Sequence, residues 1–185
     1  MYLTPIDFAS KAHQDYIDYI ADGDKYRLTK AEMSAVKFAK GQLQARYDID
    51  KIFIPCKEHV QAQLYSAGAL VYWRADEESD YQIYQAITDT NQAPNNDTFW
   101  TPQDPRDQYI LDILVSLTVY NFLRPDAEIM PKDVYQSRKE ARSDLIAIGR
   151  GEMLADLPAK PEPEEDQPDT GDIRFDSQPL EENRW

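Results

Sequence analysis

Cysteine is almost missing from this chain: Cys56 is the single one in 185 residues. A lone cysteine excludes an intrachain disulfide and a thiolate metal cluster, and it leaves the chain compatible with a reducing compartment. Cys56 itself reads as a small, half-buried side chain. Histidine is nearly as scarce, with only His13 and His59, far apart and without Cys/His or HExxH spacing, so no zinc site is expected. GxSxG, GxxxxGK[ST] and GxGxxG are absent as well, which removes the usual supports for serine hydrolase, P-loop and dinucleotide chemistry. The expectation is a protein that is not an enzyme, with no catalytic residues, no cofactor and no metal.

Positive charge is also short. With 20 Lys and Arg against 34 Asp and Glu the net charge is -14, so a sequence-unspecific grip on DNA, which needs many cations to displace phosphate counterions, is not expected. Long apolar runs are missing too. The longest, Ile110 to Leu123, is interrupted by Asp112, Ser116, Thr118 and Asn121 and falls short of the ~18 residues of a membrane span. The start, MYLTPIDF, has no basic region followed by an apolar run, so neither a signal peptide nor a membrane partner is expected. The length suits one domain, or one domain and a tail.

What is present reads mainly as helix. Thr4, Pro5 and Asp7 give a hydroxyl N-cap, a proline at the first helical position and a carboxylate near the positive helix end. They predict a helix from there to about Ala21. Thr29 with Glu32 reads as a capping box opening a second helix to about Tyr47, with Met33, Val36, Leu43 and Tyr47 as its seam and Lys40 the polar exception. Asp48 to Pro55 reads as loop or strand. Asp104-Pro105 begins a helix apolar on nearly every side, which belongs in the centre of a bundle or in a subunit interface. Pro131 starts the last helix, carrying Val134, Arg138, Ala141, Leu145 and Ile148 at helical spacing, with Gly149 and Gly151 as C-terminal caps.

Between the helices the pattern changes. Ala69 to Arg74 and Tyr81 to Ile87 are short and rich in β-branched and aromatic residues, and they predict two antiparallel strands joined by the acidic segment Ala75 to Asp80. QAITDTNQAPNNDTFW (Gln85 to Trp100) then reads as turn chemistry, steered by Asp89, Asn91, Pro94 and Asn95 and anchored by Phe99 and Trp100. The carboxylate runs Asp76-Glu77-Glu78 and Glu164-Glu165-Asp166 read as solvated charge rather than a glycosidase pair. Tyr72, Trp73, Tyr81, Tyr84, Phe99 and Trp100 are either packing for a small sheet or a sugar-stacking row. That row, with Trp73, Tyr84 and Trp100, defines the alternative function of a carbohydrate-binding module. An acidic DNA mimic is a third reading. From Ala159 onward nine Asp and Glu face Lys160, Arg174 and Arg184. This arm is expected either to stay disordered or to order on a neighbour through Phe175, Leu180 and Trp185.

The fold expected from these elements is mainly α: a small helical bundle over residues 1–158, an inserted β-hairpin and loop at about 60–103, and an extended acidic arm over 159–185. LTPIDF (Leu3 to Phe8), ARYDI (Ala45 to Ile49), DPRD through LVSLTVYNFLRP (Asp104 to Pro125) and PKDVYQSRKEARSDLIAIGRGEMLADLP (Pro131 to Pro158) follow one another in an order that resembles the head–tail connector proteins of tailed bacteriophages, also called adaptor, head-completion or neck proteins. The resemblance covers about residues 2–55 and 104–158; the inserted hairpin and the acidic arm are additions to it. It implies a structural virion protein of the neck, assembled in the host cytoplasm. Its copies would form a ring, commonly of twelve, between the portal protein and the tail or a second neck-ring protein, and DNA would pass through without specific binding. An acidic lumen would oppose phosphate approach. Arg46, Arg124, Arg138 and Arg142 are the expected charged contacts, Trp100 a further interface residue, and Phe175, Leu180 and Trp185 the contacts of the arm.

Overall fold

Thr4 opens the first helix, α1 (Pro5–Ala9), as the sequence predicts. The Asp7 carboxylate reaches back to accept from the Thr4 backbone N–H at 2.6 Å and from its hydroxyl at 2.9 Å. Donors that the helix itself leaves without partners are satisfied this way. The computed structural model describes residues 2–9, 25–124 and 130–161, so the expected end of this helix near Ala21 lies outside the described residues.

The second helix, α2 (Lys25–Leu43), is already helical four residues before Thr29, so Thr29 is not its N-cap. Glu32 instead turns inward, 3% exposed, and accepts from the backbone N–H groups of Tyr2 and Leu3. The buried stripe is Ala31, Ala35, Ala39 and Leu43, while Met33 is 66% exposed. Of the expected seam, Leu43 and Tyr47 are buried and Val36 packs against the core, while Met33 is replaced by small residues, which let helices approach closely but carry little hydrophobic signal of their own.

Asp48 caps a single turn, α3 (Ile49–Ile52), by accepting from the Lys51 N–H, where the sequence suggests loop or strand. The long central helix, α4 (Gln108–Leu123), is capped by Asp107, whose Oδ1 accepts from the Ile110 N–H at 2.8 Å. Ile110, Leu111, Leu114, Leu117 and Phe122 are all under 5% exposed. Most of the helix is therefore covered within one chain, with Tyr109, 42% exposed, and the half-buried Tyr120 left at its surface. The last helix, α5 (Lys132–Arg150), ends in a left-handed Gly151 with φ 75°. The Glu152 N–H bonds the Ala147 carbonyl and the Gly151 N–H bonds the Ile148 carbonyl, the paired arrangement that closes many helices.

Gly149, expected as a second cap, is an internal helix residue. A Cβ there would lie 2.4 Å from the Gln42 carbonyl oxygen, so α2 and α5 touch backbone to backbone at this point. An exposed helical glycine gains up to about 1 kcal/mol on replacement by alanine. Gly149→Ala is expected instead to lose about 1–3 kcal/mol, because the two helices must separate. Urea unfolding reads the sign directly, and a stabilised variant would contradict the close approach.

The largest correction concerns the sheet. Strands β1 (Cys56–Glu58), β2 (Leu70–Trp73), β3 (Gln82–Ala86) and β4 (Trp100–Pro102) form one four-stranded sheet in the order β1-β2-β3-β4, with β1 parallel to β2 and the other pairs antiparallel. The β2–β3 pair is the expected hairpin. Among the described residues 45% are helix and 14% strand, so the fold is mixed α/β, not mainly a helical bundle with a small hairpin. β1 and β4 are three residues each, too short to display a period of two, and β1 finds its partner only across a long connection.

Two hydrophobic clusters result. One joins Tyr2, Leu3, the α2 stripe, Phe53 and the apolar residues of α4 and α5; the other gathers Tyr65, Val71, Ala86 and Trp100 within the sheet lobe. Where the chain re-enters the helices, Arg106 is fully buried and clamped between Asp7 and Asp104. The buried Cys56 thiol is pushed up to about 12, chiefly by burial, so it is not a nucleophile at neutral pH.

Candidate interaction surface

Arg124, exposed at the C-terminal end of α4, stands where two shallow depressions meet. One, of about 430 Å³, lies between α2 and α4 and is lined by Tyr26, Arg27, Lys30, Ser34, Asn121 and Arg124. The other, of about 380 Å³, lies toward the start of α5, between Tyr120, Arg124, Met130, Lys132 and Tyr135. The walls are fixed by the helices. Arg27 Nε donates to the Phe122 carbonyl at 2.9 Å, and Asn121 Nδ2 to the Ala31 carbonyl at 3.3 Å. Both bonds occupy backbone carbonyls that hold α2 against α4.

Rings and cations alternate across this surface. Lys30 Nζ lies 4.3 Å from the centroid of Tyr26, and the Arg138 guanidinium 4.1 Å from that of Tyr120. Tyr26 is 66% and Tyr135 54% exposed. Lys30, Arg124 and Lys132 make no ion pair with a described carboxylate. Among the described residues, Lys30, Arg124 and Lys132 thus stand beside the rings of Tyr26, Tyr120 and Tyr135. Such chemistry suits a partner that brings carboxylates and rings together.

Of the expected contact residues, the fold brings Arg124 and Arg138 together around Tyr120. Arg142 is about one turn further along α5, its guanidinium 4.4 Å from the Phe38 ring centroid. Arg46 is at the other end of the bundle, with Nη1 3.5 Å from the Arg150 carbonyl, a cation placed on the negative end of α5. Phe175, Leu180 and Trp185 lie outside the described residues. Tyr26, Lys30, Lys132 and Tyr135 were not among the expected contacts. A large aromatic on the polar face of a helix, one turn from a lysine, is the signal that marks Tyr26 with Lys30.

Trp100 requires a correction. It is 1% exposed, its Nε1 donates to the Gln92 carbonyl at 3.0 Å, and its ring meets Tyr65 edge-on at 5.5 Å. A side chain consumed in the sheet core has no face to offer a subunit or a sugar. The remaining rings pair with one another within the sheet. Trp73 contacts Tyr84 and Tyr72 contacts Tyr81, and neighbouring residues 72 and 73 of one strand point to opposite faces. A third cavity of about 290 Å³, bordered by Glu58, Tyr72, Trp73, Asp76, Glu77 and Tyr81 among others, carries an acidic rim. There Asp76 Oδ1 accepts from the Glu78 and Ser79 N–H groups and the Ser79 hydroxyl. The Ser79 bonds hold its carboxyl below the usual range, and their geometry is that of a turn.

The chain matches no family model, no curated protein and no solved structure. Among the described residues no group of three or more His, Cys, Asp or Glu side chains could hold a metal ion, and no helix is long and apolar enough to cross a membrane.

Proposed function

We propose that this protein is a structural component of the neck of a tailed-phage virion, forming a ring that joins the portal to the tail or to a further neck ring and surrounds the exiting DNA. The observation that carries the proposal is the division of the core. The two blocks that resemble connector proteins, about 2–55 and 104–158, contribute every member of the helical cluster, from Tyr2 to Phe53 and from Ile110 to Leu157. The segment between them supplies a separate cluster, Tyr65 to Trp100. A helical unit that closes on itself around an insertion is what a shared connector scaffold with an added lobe would give. Arg124, Arg138 and Arg142 on the helical surface are the charged side-to-side contacts in this reading, and closure into a ring leaves no heterologous face open.

The test is particle imaging and mass measurement of the purified chain with the portal assembly of the same virus. A ring seated on the portal is the expected result, and Arg124→Glu with Arg138→Glu is expected to reduce its occupancy. A chain that stays monomeric beside the portal overturns the proposal.

A further inference from the structure

Of the two imidazoles in the chain, His59 alone lies among the described residues, and it is packed onto the sheet cluster. It directly follows β1, with its backbone N–H bonding the Tyr72 carbonyl at 3.1 Å. Its ring stacks on Tyr65 with 5.4 Å between centroids and meets Trp100 edge-on at 6.1 Å, both members of that cluster. Nε2 is buried and has no hydrogen-bond partner among the described residues. A neutral imidazole leaves only a lone pair there, whereas an imidazolium would bury an N–H and its charge with nothing to receive them. We propose that His59 makes the sheet lobe acid-sensitive: protonation of its ring opens the packing of Tyr65 and Trp100 while the helical unit stays closed.

Burial and the groups around the ring set the direction. The Gln92 carbonyl, which also accepts from Trp100 Nε1 at 3.0 Å, favours the imidazolium, but burial outweighs it and holds His59 below the usual imidazole range. The strand before it carries Lys57 and Glu58. Tyr72 and Arg74 of the β2 side, Asp76 and Glu77 of the turn beyond, and Tyr81 before β3 border the same cavity as Glu58 and His59. The carboxylates of Glu58, Asp76 and Glu77 are exposed, where water and salt screen them, and the Arg74 guanidinium over Tyr81 opposes a second cation. The Tyr65 hydroxyl accepts from the Val60 N–H at 2.7 Å. Before β4, Asp89 accepts from the Ala67 N–H at 2.9 Å and Asp97 is exposed. The unfolded sheet takes up its proton near about pH 6.5 and the folded one resists it. The stability that His59 contributes is therefore present above that pH and is lost as pH falls from there through the folded value. The helical cluster contains no imidazole among its described members, and ordinary carboxylates titrate lower, so the loss falls on the sheet. This inference rests on the sheet core, not on the connector reading.

The experiment uses the full chain labelled with carbon and nitrogen isotopes. NMR follows the imidazole signals and the amide protection factors from about pH 7.5 to about pH 5, the window in which histidine changes charge. His59→Phe keeps a ring on Tyr65 but takes no proton; it assigns the His59 signals and retains His13 as an internal control. His59 is expected to titrate below about pH 6.5, with the Tyr65 and Trp100 signals moving at the same midpoint. Protection in β2, β3 and β4 should fall at least about threefold relative to α4 and α5 across the range, and in His59→Phe that ratio should hold constant. A His59 midpoint at or above about 6.5, a ratio indifferent to pH in the parent, or the same fall in His59→Phe would each overturn the proposal. The parent's own titration and protection ratio stand even if the variant folds poorly. Because no portal is present, the outcome is independent of ring formation.

Discussion

Replacing Arg106 by leucine is expected to lower the free energy of unfolding by about 3–5 kcal/mol, the loss typical of a buried ion pair stripped of one partner. The guanidinium uses its whole donor fork. Nε donates to Asp104 Oδ1 at 2.8 Å, Nη1 to the Tyr2 carbonyl at 2.7 Å and Asp7 Oδ2 at 3.0 Å, and Nη2 to Asp7 Oδ1 at 3.0 Å and Asp104 Oδ2 at 2.8 Å. Burial by itself would lower the pKa of Arg106, but the bonds to Asp104 and the charge of Asp7 outweigh it and raise it further. The arginine stays charged at every working pH.

Removing it leaves the Asp7 carboxylate, 6% exposed, with its Thr4 bonds but without the cation that compensates its buried charge, and takes from the Tyr2 carbonyl the donor at 2.7 Å. Arg106→Lys keeps the charge but lacks the planar fork that meets two carboxylates at once, so an intermediate loss is expected. Adding Asp7→Asn to Arg106→Leu should recover part of the stability, since one uncompensated charge is then gone. Urea midpoints of the three variants decide the matter, and a loss under about 1 kcal/mol for Arg106→Leu would mean that the site behaves as exposed.

Trp100→Ala is expected to lose about 3–5 kcal/mol, as large-to-small changes in a packed core do. The damage should also be uneven. Because Trp100 belongs to the sheet cluster and not to the helical one, amide exchange in β2, β3 and β4 should speed up at least about tenfold more than in α2, α4 and α5, as a local unfolding unit predicts. Equal acceleration everywhere would show the two clusters to be one cooperative unit. This bears on the carbohydrate reading. A sugar-binding loss in Trp100→Ala would report a damaged sheet, whereas Trp73→Ala, a half-exposed ring, probes the surface itself.

The helices were largely legible because their signals are local. Thr4-Pro5 with Asp7, the all-round apolar run of α4 and the start of α5 at Pro131 each depend on residues within a turn or two of one another. Where the sequence misleads, the competing signal is non-local or weak. Thr29 and Glu32 have capping-box spacing, yet Glu32 is claimed by the N-terminal backbone, some thirty residues away in the chain. Met33 looks like a seam residue, but the alanine stripe beside it fits the backbone contact that Gly149 makes with Gln42. Trp100 reads from the sequence both as a loop anchor and as an interface residue, and only the first holds, because nothing within a few residues announces Tyr65 and Val71 as its neighbours.

The interaction surface was legible only in part. Arg124 and Arg138 stand out as cations at helix ends and faces, but their meeting around Tyr120, and the addition of Tyr26, Lys30, Lys132 and Tyr135, depend on how α2, α4 and α5 are docked. Composition by itself determined the scarcity of thiol and imidazole chemistry, the acidic balance and the partition into helices, a β-rich insert and an acidic end. Those properties are sums or short-range patterns. The tertiary structure alone decided that the insert is a four-stranded sheet with its own core, that Arg106 is buried between Asp7 and Asp104, and that Arg124 stands between Lys30 and Lys132 while Arg46 lies at the other end of the bundle. Strand pairing, burial and charge clustering are set by distances between residues far apart in the chain, and closing those loops is the step that no local pattern records.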